Sequence, residues 1–257
     1  MFLGESCVAA KSASDVVQLA ETANSMEHLD ALISECRACP RLVAWRETVA
    51  IEKRAAYREE EYWGRPAPGF GDPAAAIAVV GLAPAAHGAN RTGRVFTGDR
   101  SGDWLYEAMY GAGLANQPTS VRRDDGLALT RARVLAAVRC APPANKPTPV
   151  ERDTCAPWLD RELTLLAPTL RVVVALGAFA WQAVFPALAR TGFGAPTNKV
   201  RFGHGAEARC GELTVIASYH PSQQNTFTGV LTEPMFDAVF TRANELAASG
   251  HREGLRG

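Results

Sequence analysis

Short apolar runs alternate with amphipathic stretches over most of this chain. The apolar runs are too short for helices, consist mainly of Val, Ile, Leu and Ala, and end in loops rich in Gly or Pro, which is typical of buried strands in a parallel sheet. They span 77–80, 134–138, 170–176 and 214–217. Amphipathic or helix-prone stretches predict helices over 26–36, 104–112, 148–166, 179–190 and 232–249. The alternation predicts an α/β fold: a three-layer α/β/α sandwich with a central, mainly parallel four-stranded sheet.

Local signals refine some of these elements. Thr148-Pro149-Val150-Glu151 is a capping box with proline at the first helical position, so a helix is expected to begin there. Asp99 is expected to cap the helix that follows it. Pro40 is expected to stop the first helix from continuing, and 48–62 is charged and helix-prone. Residues 191–211 are rich in Gly, and the sequence does not decide whether a hairpin forms around 202–213.

The composition is that of an ordinary globular protein of 257 residues, 47% hydrophobic and 21% charged. Residues 1–25 are polar and rich in Ala and Ser, which indicates a flexible N-terminal arm, and 26–250 are expected to form one domain. Basic and acidic side chains both number 27. Residues 120–201, however, carry 12 basic and 6 acidic side chains, a net charge of +6. They form either a basic face or scattered surface arginines.

The cellular setting follows from what the chain lacks. No apolar run approaches the ~20 residues of a membrane span. Glu5 stands where a secretion signal would need a basic residue before its hydrophobic core. We therefore expect a cytoplasmic protein with no membrane partner, and a monomer is the default expectation for its oligomeric state.

Four of the six cysteines form a pattern with metal-ligand spacing. Cys36 and Cys39 are spaced so that both sulfurs can bind one centre, while Cys140 and Cys155 flank a proline-rich loop and a capped helix that could return them to one place. Four thiolates suit a [4Fe–4S] cluster or a zinc site with four cysteine ligands, which the spacing alone does not separate. The alternative is four unrelated buried thiols.

The stretch 76–103 (AIAVVGLAPAAHGANRTGRVFTGDRSGD) has the composition of a ligand-binding loop. It begins with a buried strand and then holds five glycines, which let a backbone approach a flat or charged ligand at the carboxyl end of that strand. Phe96 either anchors the loop in the core or offers its ring to a flat ligand. A long surface loop is the alternative explanation.

Two further loops are expected at the same edge of the sheet. His220 follows the last predicted strand, where its imidazole could donate a hydrogen bond to a developing anion, although it could also simply cap the strand. Asn145 and Lys146 lie in a proline-stiffened loop that could equally be a solvated turn.

These features together resemble the uracil-DNA glycosylase superfamily, most closely its family 5, the iron–sulfur type. The motifs are GLAPAAHGANRTGRVFTGD at 81–99, AAVRCAPPANKPTP at 136–149, VALG at 174–177 and SYHPSQQNTFTG at 218–229, together with the four cysteines. The neighbouring family has an acidic residue after the first glycine and an Asn in the strand before the third cysteine. Leu82 and Ala136 stand there in this chain. Both departures match family 5, which accepts a broader range of deaminated bases.

The resemblance implies a DNA glycosylase that acts on uracil and other deaminated bases and starts base excision repair near the nucleoid. It implies that Cys36, Cys39, Cys140 and Cys155 ligate a structural [4Fe–4S] cluster. We expect His220 to stabilise the departing base, and Asn90 to position water or the base, with Asp99 as its rival. The base is expected to contact Gly81, Ala83, Pro84, Ala85, Phe96 and Asn145. DNA contacts are expected from Arg91, Arg94, Ser222, Gln223 and Asn225. A non-catalytic nucleic-acid-binding α/β module with a four-cysteine metal site is the alternative.

Overall fold

A six-stranded sheet runs through the centre of the protein in a computed structural model, which describes residues 8–197 and 200–253. The strands are β1 (Phe70–Gly71), β2 (Ile77–Gly81), β3 (Ala132–Ala136), β4 (Val172–Leu176), β5 (Glu207–Cys210) and β6 (Leu213–Ser218). Their order is β1-β3-β2-β4-β6-β5. The four inner strands are parallel, and β1 and β5 pair antiparallel at the two edges.

The four strands predicted from apolar runs are therefore the parallel centre, and the predicted total of four was wrong. The prediction missed β1 because this strand has only two residues, in a segment punctuated by Pro and Gly. It missed β5 as a sheet strand because the alternation of exposed and buried positions covers only four residues, and no continuous apolar run marks it. The hairpin left open near 202–213 is formed by β5 and β6.

Helices cover both faces of this sheet, which confirms the predicted α/β/α sandwich. The helices are α1 (Ala13–Thr22), α2 (Met26–Glu35), α3 (Pro40–Glu52), α4 (Ala89–Thr92), α5 (Arg100–Gly111), α6 (Pro149–Leu166), α7 (Ala178–Arg190), α8 (Gln223–Phe227) and α9 (Glu233–Glu253). One hydrophobic core lies between the sheet and α1, α2, α6 and α7, and a second between the sheet and α5 and α9. Within the described part of the chain, no helix is long and apolar enough to cross a membrane.

The N-terminal segment contains a packed helix where a flexible arm was predicted. Ser12 and Asp15 form a capping box at the start of α1, and Val16 and Ala20 are buried. These small apolar residues pack against α6. The predicted arm was wrong for this helix, because its apolar face, which includes Leu19, packs on the core. Residues 1–7 of that arm lie outside the described residues.

Pro40 begins a helix as well as following the end of one. It occupies the first turn of α3, where its missing N–H is not needed, and Cys39 is the N-cap residue. The charged helix predicted over 48–62 is therefore misplaced, since α3 ends at Glu52. The correction matters for the site because α3 starts at the cysteine pair.

A buried ionic network ties the sheet to two helices. Arg133 on β3 donates from Nε to Glu162 on α6 over 2.5 Å and pairs with both carboxylate oxygens of Asp30 on α2 at 2.7 and 2.8 Å. Arg139 also pairs with Glu162, which is fully buried. Burial opposes ionisation, but the guanidinium groups of Arg139 and Arg133 hold the pKa of Glu162 below its usual value. The network fixes the start and end of the segment that leads from β3 to Cys140.

Candidate active site

A cavity of about 510 Å³ lies at the carboxyl ends of the parallel strands, where α/β proteins place ligands. Eight of the residues predicted to bind a base or DNA, or to catalyse, line it: Ala83, Pro84, Ala85, Phe96, Asn145, His220, Ser222 and Gln223. Leu82 and Ala136, which stand where the neighbouring family has polar residues, are in its wall. Gly81 lies directly behind the ring of Phe96.

Phe96 is held in an uncommon backbone conformation at the cavity wall. Its φ is 51°, in the left-handed region that a bulky side chain rarely adopts. Two glycines make this geometry available: a Cβ on Gly81 would come within 2.7 Å of the Phe96 ring, and a Cβ on Gly102 would clash with the Phe96 carbonyl. The ring lies 5.8 Å from the imidazole of His220, between centroids, with the planes inclined by 32°. The two rings thus form one aromatic side of the cavity.

His220 leaves β6 at the edge of the sheet, and its backbone is held while its ring is free. The carbonyl of His220 accepts hydrogen bonds from the Ser222 amide at 2.8 Å and from Nδ2 of Asn225 at 2.9 Å. Its imidazole has no hydrogen-bond partner among the described residues. Burial lowers the pKa of His220 from 6.5 to about 4. The ring is therefore neutral near pH 7 and can donate one N–H to a group in the cavity.

Asp99 presents a carboxylate to the same cavity. One of its oxygens caps α5, accepting from the Gly102 amide at 3.0 Å, which confirms the predicted cap. The other lies against Gly88, where no Cβ would fit. Burial raises the pKa of Asp99 above its usual value. A carboxylate with a raised pKa in a cavity is suited to accept a proton.

Asn90 is not in the cavity, so its predicted catalytic position was wrong. Its side chain is fully buried and donates from Nδ2 to the carbonyls of Arg46 at 3.2 Å and Ala86 at 3.4 Å. Asn90 belongs to α4, a four-residue helix within a stretch whose composition predicts a loop. The helical turn directs the side chain inward, away from the cavity.

Arg91 and Arg94 were predicted to grip phosphates, and the structure places both in internal contacts instead. Arg91 pairs with Glu60 and donates to the Gly98 carbonyl at 2.8 Å. Arg94 makes a two-pronged pair with Asp125 at 2.7 and 2.9 Å. The two side chains are 7% and 3% exposed, so neither offers a free cation to DNA. Their role is to hold the loop that carries Phe96.

An exposed cation that was not among the predicted DNA contacts lies at the mouth of the cavity. Arg100 is in the first turn of α5 and lines the cavity, and its guanidinium lies 4.4 Å from the centroid of the Phe227 ring. Phe227 is 67% exposed. A basic residue at a helix N-terminus opposes the helix dipole, which is the signal that could have identified Arg100 as functional.

The four cysteines of the predicted centre converge on one small cavity, separate from the first: Cys36, Cys39, Cys140 and Cys155. Two N–H groups point at their sulfurs, from Arg46 Nη1 to Cys140 at 3.0 Å and from the Arg139 amide to Cys155 at 3.3 Å. Burial, and then the neighbouring thiols, raise the pKa of Cys39 to about 12. In the described residues, no three or more Cys, His, Asp or Glu side chains are placed so that they could hold one metal ion as they stand.

The α/β fold and the cavity at the carboxyl ends of its parallel strands are those of a known family. The model of the uracil DNA glycosylase superfamily matches residues 68–244, and the chain belongs to that superfamily. Over 230 residues the chain is 55% identical to the type-5 uracil-DNA glycosylase of Mycobacterium tuberculosis, covering 89% of this chain and 84% of that protein. It is 52% identical over 216 residues to the type-5 enzyme of Thermus thermophilus, covering 84% and 95%. A type-4 enzyme of Archaeoglobus fulgidus is 33% identical over 158 residues, covering 60% and 69%. The resemblance drawn from the motifs is confirmed.

Proposed function

We propose that this protein is a DNA glycosylase that hydrolyses the N-glycosidic bond of uracil and other deaminated bases in DNA, the first step of base excision repair. The observation that carries the proposal is the single cavity that brings together the ring of Phe96, the neutral imidazole of His220 and the carboxylate of Asp99. Its size and aromatic wall suit one nucleobase taken out of the helix, which costs a few kcal/mol that mispairing reduces.

The walls of the cavity account for base binding. The ring of Phe96 stacks on the base, while the backbone of Ala83–Ala85 borders the base edge. The side chain of Asn145 makes no hydrogen bond within the described structure and supplies an amide to the base. Ala136 has no polar side chain with which to select a single base. This composition favours several deaminated bases over uracil alone.

Two side chains carry the chemistry. As the bond from C1′ to the base nitrogen breaks, its electron pair goes to the base, and the N–H of His220 stabilises the charge that develops there. Asp99 accepts a proton from the water whose oxygen forms the new bond to C1′, and its charge stabilises the cationic sugar. Asp99 replaces Asn90 in this role because only Asp99 lines the cavity.

DNA contacts come from the rim of the cavity. Ser222 and Gln223 line it, and Asn225 holds the loop through the His220 carbonyl. Arg100 supplies the cation that Arg91 and Arg94 do not. The exposed ring of Phe227 is placed to fill the gap that the extruded base leaves in the stack.

The four cysteines fit a structural [4Fe–4S] cluster. All four line one small cavity, and N–H donors from Arg46 and Arg139 favour negatively charged sulfur. Because burial disfavours free thiolates there, the iron of the cluster would supply the positive charge that keeps them deprotonated. The cluster would join the start of α3, the loop after β3 and α6. A brown protein absorbing near ~400 nm is expected, whereas zinc would give a colourless one.

The test is a single-turnover assay on a duplex with one uracil opposite guanine, alongside hypoxanthine and undamaged duplexes, scored by alkali cleavage at the abasic site. His220→Ala should slow base release ~100- to 1000-fold, because it removes the donor to the departing base. His28→Ala, on α2 and outside the cavity lining, is the matched control and should react like wild type. If no lesion is released while DNA still binds, the protein is a binding module instead.

A further inference from the structure

Arg46 lies between two parts of the site. One is the cysteine centre, formed by Cys36, Cys39, Cys140 and Cys155, and the other is the cavity loop, residues 82–88, which forms one wall of the base cavity. Its side chain is 2% exposed, and Nη1 donates to Cys140 Sγ at 3.0 Å and to the carbonyl of Cys36 at 3.1 Å. The backbone carbonyl of the same residue accepts from Nδ2 of Asn90 at 3.2 Å. One residue of α3 therefore contacts two of the four cysteines and the buried amide of α4.

Asn90 in turn holds the cavity loop. Its backbone N–H donates to the carbonyl of Ala85 at 3.1 Å, its side chain reaches the carbonyl of Ala86, and its own carbonyl accepts from Gly64 at 3.0 Å. Ala85 lines the base cavity. Three successive contacts thus lead from the Cys140 sulfur to the cavity wall.

An apolar contact runs parallel to these hydrogen bonds. Ala83, also in the cavity wall, packs against the small cluster formed by Leu42, Val138 and Cys140. Displacement of Cys140 would therefore be felt by the cavity loop through packing as well as through Arg46.

Two atoms in this connection have unused hydrogen-bonding capacity. Nε of Arg46 and Oδ1 of Asn90 are buried and make no hydrogen bond among the described residues. Unsatisfied buried groups are costly and seldom retained without a reason. Nε leaves Arg46 one further N–H for an acceptor in the cysteine centre, while Asn90 retains its place through its donor alone.

We propose that Arg46 and Asn90 are positioning residues that couple occupancy of the cysteine centre to the shape of the base cavity. The proposal deepens the proposed function and rests on it, since it assigns the centre a role in holding the site. Coupling between two sites is reciprocal, so a substitution of either residue must alter both the cysteine centre and the base cavity. A merely local role would confine each effect to the nearer site.

The test substitutes each of the two residues and measures the effect on the site that the residue does not contact. Asn90→Ala, which touches no cysteine, should increase the rate at which bound metal is released into excess chelator by about 3- to 10-fold. Arg46→Met, which lines no part of the base cavity, should slow single-turnover base release by a similar factor in fully metal-loaded protein. Arg46→Lys keeps the charge and a donor and should restore much of both properties.

Matched controls separate coupling from general loss of stability. Arg37→Met removes an exposed arginine that pairs with Glu47, next to Cys36 in the chain, and Asn244→Ala removes an amide that donates to a helix-end carbonyl at 3.0 Å. Both should behave as wild type in both measurements. Additive effects of Arg46→Met and Asn90→Ala in the double variant, or effects confined to the nearer site, would overturn the proposal. Metal release needs no glycosylase activity, so it tests the coupling even if the wild-type protein releases no base.

Discussion

The carboxylate of Asp99 combines a structural and a chemical position within one side chain. It caps α5 with one oxygen and faces the cavity as a buried acid whose pKa is raised. Asn at an N-cap is as good as Asp, so Asp99→Asn preserves the cap while removing the proton acceptor. We expect single-turnover base release to fall ~10²- to 10⁴-fold with little change in melting temperature.

The pH dependence of base release checks the role assigned to Asp99. Wild-type rates should fall as pH drops through the raised pKa of Asp99, because the protonated acid cannot accept a proton. His220, whose pKa is about 4, stays neutral over most of this range and does not cause the fall. The Asp99→Asn variant should lose this pH dependence. If the pH dependence persists in the variant, it belongs to another group.

The residue types and their order in the chain predicted His220 and Phe96 but misplaced three loop residues. His220 could be predicted because the residues that follow a buried strand lie at the edge of the sheet. Asn90, Arg91 and Arg94 could not, because one helical turn and partners distant in sequence, such as Asp125, turn them inward. Composition identifies a polar loop, but which side of the loop faces the ligand depends on tertiary contacts.

At the scale of secondary structure, the link between β3, α2 and α6 depends on Glu162. Both buried arginines use this one carboxylate, so Glu162→Gln leaves them without full compensation. We expect a loss of about 3–5 kcal/mol in the free energy of unfolding, measured by urea denaturation. Glu107→Gln, an exposed change on α5, is the control and should be nearly neutral.

The ion pairs of Glu162 also predict that the stability of the fold is sensitive to acid. The pKa of Glu162 is lowered in the folded state, so its stabilisation is present above the usual pKa of Glu, ~4.3, and is lost as pH falls below it. Glu162→Gln should flatten that part of the stability curve. Equal acid sensitivity of the two proteins would contradict this account of the network.

Elements were predictable where their signal is local. The capping box at Thr148 and the helix to Leu166 agree with the structure because both cap bonds lie within four residues. Edge strand β1 has only two residues and pairs with β3, and α1 packs mainly on α6, so both depend on partners distant in sequence. The missed elements are those whose stability comes from a partner.

At the scale of the whole molecule, charge is distributed differently from the count along the chain. Of the 12 basic residues in 120–201, Arg133 and Arg139 are buried in ion pairs and cannot attract DNA. Glu151 and Glu162 of the same segment are buried as well, so its net charge of +6 is kept but is carried by fewer side chains. With equal numbers of basic and acidic residues overall, DNA binding should rely on a few cations at the cavity mouth, with Arg100 foremost.

This arrangement predicts a shallow but measurable salt dependence that Arg100 controls. On a uracil-containing duplex, in the His220→Ala background that slows turnover, Arg100→Ala should weaken binding and reduce the slope of log affinity against log salt by about 1, measured by fluorescence anisotropy. Arg100→Lys keeps the charge and should keep the slope, even though the contact with Phe227 changes. Arg190→Ala, whose guanidinium pairs with Asp160 at 2.6 Å outside the cavity lining, should leave the slope as it is. An unchanged slope for Arg100→Ala would mean that other cations carry the phosphate contacts and that the mouth of the cavity only orients the DNA.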